Sequence, residues 1–113
     1  MNKNKKLHIT VTHADTPDKI KKGLMFRKRR LKENHGMLFH TGTRISSFWM
    51  KNTFIPLDVL FLNKNGRIIG FVENTTPKSL SPITINKPSS FVLEINAGWV
   101  NKNNVKKGDY ITI

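Results

Sequence analysis

Residues 56–74 read PLDVLFLNKNGRIIGFVEN, two apolar runs on either side of a polar tip. Asn65-Gly66 at that tip supplies the positive φ angles that a tight connection requires, so the stretch predicts a β-hairpin. Working upstream, GMLFHT (36–41) and SSFWMKNT (46–53) are strand candidates. Near the start, Leu7, Ile9 and Val11 alternate with His8, Thr10 and Thr12, the period of a half-buried strand. Between them Thr16 can cap a helix with Pro17 in its first position and Asp18 near the positive end of its dipole. Ile20 and Leu24 follow at helical spacing, and Gly23 predicts that the helix ends within about two or three turns. RKRRLKE (27–33) is a charge run with Leu31 as its apolar anchor, and reads as a solvated loop or a frayed helix.

Downstream, TTPKSLSPITINKPS (75–89) holds three of the five prolines and reads as a loop with a short extended piece around residues 83–85. SFVLEINAG (90–98) is a strand by its Phe91, Leu93 and Ile95 alternation, which puts Glu94 on the opposite face. One helical turn within Trp99–Val105, a turn at Gly108-Asp109 and a last short strand complete the chain. These elements predict a mainly β, β-rich α+β fold: a compact antiparallel sandwich or barrel with one short helix after the first strand. The expected organisation is a basic tail over residues 1–6 and one domain over residues 7–113, with no internal repeat or linker.

At 113 residues the chain has room for one domain, and 37% hydrophobic residues suffice for a core. The absence of cysteine excludes disulfides, a thiolate nucleophile and a sulfur-rich zinc site. The basic opening is not followed by the apolar run of about 7 to 15 residues of a secretory signal. A cytoplasmic protein, a particle component or a mature chain without its leader is therefore expected. No stretch approaches the roughly 18 to 20 apolar residues of a membrane span. Twenty Lys and Arg against seven Asp and Glu give a net charge of +13, which attracts acidic proteins or polyanions. Abundant Lys, Asn and Ile also fit a compositional origin for that charge.

Catalytic patterns are missing. Ser46, Ser47, Ser79, Ser81, Ser89 and Ser90 lack a nucleophile-elbow context, so no catalytic residue is assigned. His8, His13, His35 and His40 lack the one-face helical spacing of a metalloprotease, and neither a metal nor a cofactor is expected. Asp58 and Glu94 stand out as acids inside apolar strands, where an unpaired charge is expensive. Their structural reading is pairing with backbone donors or with Lys51, Arg27 or Arg44; their functional reading is acid-base chemistry at a raised pKa. Lys19, Lys21, Lys22, Arg27, Lys28, Arg29, Arg30 and Lys32 are the candidates for polyanion contact. Stacking aromatics are not interleaved with them and no groove-reading motif is present, so sequence-specific nucleic-acid recognition is not expected.

TPDKIKKGLMFRKRRLKENHGMLF, SFWMKNTFIPLDVLFLNKNGRI, FVLEINAGW and VKKGDYITI, in that order, resemble the family called domain of unknown function 192 from about Leu7 to Ile113. The resemblance implies a compact, mainly β domain and no particular activity. It maps the family's recurring positions onto Gly23, Phe48, Trp49, Met50, Lys51, Asn52, Pro56, Asp58, Glu94, Gly98 and Trp99, among others. Two departures stand out. Many members carry export leaders, whereas this chain begins almost at its first strand, and the segment before GMLF is strongly basic here rather than acidic or mixed.

Read as a strand, FWMKNT places Phe48, Met50 and Asn52 on one face and Trp49, Lys51 and Thr53 on the other. The second face could stack an anionic or sugar-like ligand on the indole, with Lys51 and Asn52 as donors and Asp58 completing an ion pair; the alternative is a polar plug that pins the sheet. The sequence thus predicts a non-catalytic ligand- or partner-binding module with candidate residues Trp49, Lys51, Asn52, Asp58, Glu94 and Trp99. The alternatives are a small basic structural component of a virion or nucleoprotein particle that binds an acidic partner, and an unrecognised hydrolase or lyase using Asp58 or Glu94.

Overall fold

The structure, a computed structural model, describes residues 4–113, and the first three residues of the expected tail lie outside it. Its elements are β1 (Lys6–His8), β2 (Thr10–Ala14), α1 (Pro17–Lys22), β3 (His35–Ile45), β4 (Leu57–Leu62), β5 (Ile68–Val72), β6 (Pro88–Asn96), α2 (Trp99–Lys102) and β7 (Tyr110–Thr112). The fold is mainly β, with a short helix after the opening strands. Thr16 caps α1 as its chemistry suggests, its Oγ1 accepting the Lys19 N–H at 3.2 Å.

β4 and β5 form the hairpin, with Val59 opposite Val72 and Phe61 opposite Gly70. Gly66 alone of the Asn65-Gly66 pair takes a positive φ, 81°. Asn63 organises the tip instead, its Oδ1 accepting the N–H groups of Asn65 and Arg67 at 2.9 and 3.0 Å. The hairpin lies at one side of a five-stranded sheet ordered β2-β3-β6-β4-β5. β6 is antiparallel to both β3 and β4.

β2 joins β3 in parallel, so the sheet is mixed. Residues 15–34, which include α1, carry the chain back to the end where β2 began, and a parallel pair needs a connection of that length. The opening alternation is divided between two strands. Ile9, fully buried, donates its N–H to Thr112, and the chain then passes from β1, paired in parallel with β7, to β2 at the main sheet.

SSFWMKNT is not a strand. Phe48 forms a single bridge with Ile83, Met50 N–H bonds the Ser79 carbonyl, and the chain turns at Asn52, whose φ is 54°. The backbone groups of this segment are taken by the proline-rich loop rather than by a neighbouring strand, and one residue at positive φ ends the alternation.

Both faces of the sheet are covered, which explains why every residue of β4 is buried. Leu60, Leu93 and Ile95 pack with Trp99, Val100 and Ile111 on the face covered by α2 and the β1-β7 pair. Val59, Phe61 and Val92 pack with Leu24, Phe39, Met50 and Ile55 on the face covered by α1 and the 46–56 segment. Each large side chain so buried contributes roughly 1.5–3 kcal/mol before entropy is counted.

Candidate ligand-binding cleft

Glu94 lies in β6 beside Val92, opposite Met37 of β3 and Val59 of β4, and shares their face of the sheet. It is 5% exposed. Burial alone pushes its carboxyl from an ordinary value of 4.5 up to about 8. Among the described residues no donor or cation pairs with it, so at neutral pH it is held predominantly as the uncharged acid.

Above it lies a cleft of about 390 Å³ whose lining includes Gly23, Phe39, Thr41, Arg44, Ser46, Trp49 and Glu94. Three local features open it. Gly23 ends α1 with φ 49° and closes on Lys19 O through its N–H; a Cβ there would lie 3.2 Å from Phe39 Cζ and 3.7 Å from Glu94 Oε1. The β3-β6 register shifts between His40 and Arg44, with Gly42 at φ 70°, which takes Arg44 and Ile45 to the lip. The 46–56 segment leaves the sheet at Ser46, whose buried Oγ has no hydrogen-bond partner.

The residues singled out from sequence divide between the two faces. Trp49 is 47% exposed and stands on the cleft wall, with Lys51 Nζ 5.1 Å from its ring centroid. Lys51 is exposed at the turn, and Asn52 contributes its carbonyl to the Phe26 N–H at 2.7 Å. Asp58 is fully buried on the α2 side, its two oxygens accepting the N–H groups of Asn74 and Val100, each at 2.9 Å. It joins α2 to the hairpin, and the ion pair with Lys51 does not form. Trp99 is buried on that side too, its Nε1 donating to Asn34 Oδ1 at 3.0 Å. Asp58 and Trp99 are thus not brought to Glu94.

Of the basic cluster, Lys21 and Lys22 line the cleft, Lys19 pairs with Asp15 at 3.6 Å, and Arg30 reaches the Ala97 carbonyl at 3.4 Å. Arg27, Lys28, Arg29 and Lys32 are exposed. His13 and His40 meet across β2 and β3, Nδ1 to Nε2 at 2.8 Å, with His40 edge-on to Phe91.

A second hollow, lined by Arg30, Leu31, Glu33, Asn34, Asn96 and Trp99 among others, is chemically closed. Asn96 exchanges hydrogen bonds with the backbone of Leu31, Trp99 holds Asn34, and Lys102 pairs with Glu33. The first cleft differs in holding Glu94, which has no hydrogen-bond or ion-pair partner among the described residues. Sequence reading reached Glu94, Trp49 and the basic lip. It names Ser46 and Gly23 without placing them at a site and passes over Thr41, because nothing local distinguishes a serine without a partner from one that has found one.

Comparison with known proteins is consistent with this architecture. The family of domain of unknown function 192, described as an uncharacterised ACR, matches residues 1–113. A Sinorhizobium meliloti protein described as a candidate transcription regulator is 42% identical, with 90% of this chain and 79% of that chain covered at a TM-score of 0.87. A protein of unknown function from Novosphingobium aromaticivorans is 35% identical, with 90% and 73% covered at a TM-score of 0.85. No curated protein matches the chain.

Proposed function

The chain belongs to the family of domain of unknown function 192, and we propose that the Glu94 cleft makes this member a non-catalytic binding module for a small ligand. The observation that carries the reading is the Glu94 carboxyl, set in the lining of one opening without a hydrogen-bond or ion-pair partner among the described residues. A buried polar group without a partner is unfavourable by roughly 1–3 kcal/mol, and a ligand that supplies the missing hydrogen bonds recovers that energy. The cleft falls within the size range of small-molecule sites, roughly 300–1,000 Å³, and combines aromatic side chains with polar and charged ones.

Catalysis is less well supported by the same residues. Both oxygens of Asp58 are engaged by backbone amides, and Glu94 has no second carboxylate or activated nucleophile beside it among the described residues. Amide chemical shifts of labelled protein titrated with a mixture of small polar and aromatic fragments test the binding reading. Perturbations are expected to cluster at Gly23, Ser46 and Glu94 and to vanish in Ser47→Trp, which fills the opening from an exposed position. Perturbations scattered outside the cleft, or unchanged in that variant, would sink the proposal.

A further inference from the structure

We infer that the ligand of the cleft is an anionic sugar, a polyhydroxylated ring bearing one carboxylate or phosphate, with its charge at the Arg44 and Lys22 lip and its hydroxyls against Glu94. This inference rests on the reading of the cleft as a binding site and goes further by naming the chemistry that the cleft recognises.

Charge sets one end of the ligand. Lys21, Lys22 and Arg44 line the opening, and the salt bridges among the described residues engage other cations: Lys5 with Asp109, Lys19 with Asp15 and Lys102 with Glu33. Glu94 is the one acid in the lining, and it lies at the floor, away from these exposed cations. An ammonium ligand drawn to Glu94 would have to pass three like charges on a protein of net charge +13. An anion meets no such barrier, and Arg44 offers a planar fork matched to carboxylate or phosphate oxygens.

The floor sets the other end. An uncharged carboxyl is both donor and acceptor, and a sugar hydroxyl is complementary to both of its sides. A carbonyl or an anion alone would satisfy only its donor side. The wall adds Trp49, a half-exposed flat apolar surface against which the C–H face of a sugar ring can lie, with Phe48 beside it. Charged lip, two-way hydrogen-bonding floor and aromatic wall thus each match a different part of one molecule.

Galacturonate and galactose 6-phosphate are the test probes, compared with galactose, acetate and inorganic phosphate by NMR titration. Both anionic sugars, or one of them, are expected to shift Arg44, Ser46 and Glu94, and the difference between the two identifies the anionic group. Galactose and the ring-free anions are expected to bind about tenfold or more weakly. Arg44→Ala and Lys22→Ala alter exposed positions and are expected to reduce the anionic sugar to the galactose level. Galactose binding as tightly as the anionic sugars, or acetate or phosphate doing so, overturns the assignment. Silent anionic sugars with fragments still shifting the cleft overturn the ligand class alone, whereas silence from both overturns the binding reading as well.

Discussion

Glu94 couples ionisation to folding in a direction its chemistry fixes. In the unfolded chain its carboxyl ionises near 4.5, and in the fold burial holds it up to about 8. The folded state therefore keeps a proton that the unfolded state releases. Stability from this group is complete below pH 4.5, falls as pH rises, and is lost by about pH 8. At pH 7 the loss is on the order of 3 kcal/mol. The groups around it are Arg44 and Lys22 at the lip, and neither is close enough to form an ion pair. Glu94→Gln keeps the shape and removes the titration. Urea unfolding of the wild-type protein is expected to weaken between about pH 5 and pH 8, and that of the variant to change much less. Equal pH slopes for the two proteins would exclude a buried, protonated Glu94. Asp58, equally prominent in the sequence, is also buried, but two backbone amides take its oxygens. A local sequence window shows both acids in apolar strands and cannot show which one finds donors.

The hairpin tip shows how an element that is legible by itself takes its final form from a distant one. Gly66 donates its N–H to Asn63, and its carbonyl accepts the Ile111 N–H of β7 at 2.9 Å. A Cβ at Gly66 would lie 2.7 Å from the Ile111 carbonyl oxygen, at a φ of 81°. Gly66→Ala is therefore expected to destabilise the protein by about 1–3 kcal/mol. Amide exchange should accelerate at the hairpin tip and in β1 and β7, with β3 and β6 less affected. An alanine variant of unchanged stability would show that the tip and β7 do not make this approach. Helix α1 was equally legible, since its cap, its proline and its glycine stop lie within one short window. The segment 46–53 was not. Its apolar centre, Phe48 to Met50, suits a strand, but its hydrogen bonds go to residues 79 and 83, and the turn at Asn52 overrides the strand period.

Over the whole molecule, charge and fold act separately. No helix among the described residues is long and apolar enough to cross a membrane. The net charge of +13 lies mostly on exposed Lys and Arg, while the salt bridges among the described residues number three. A polyanion meeting such a surface would be held through counterion release, whatever its sequence. The protein is expected to bind immobilised heparin at low salt and to elute as salt rises. Arg27→Gln with Arg29→Gln should lower the elution point without a change in the melting temperature, because both side chains are exposed. Retention unaffected by salt would point to a contact other than charge.

The sequence by itself determined the mainly β class, the hairpin, the capped helix, the strand carrying Glu94 and the family resemblance. These rest on local periodicity, on turn and cap chemistry and on motifs that a linear reading contains. Only the tertiary structure decided that β2 pairs in parallel with β3, that Asp58 and Glu94 lie on opposite faces of one sheet, and that Ser46 and Gly23 border the same cleft. Those outcomes depend on which distant backbone satisfies each hydrogen bond and on which side chains are left without a partner. They are properties of the packed chain, and no single segment carries them.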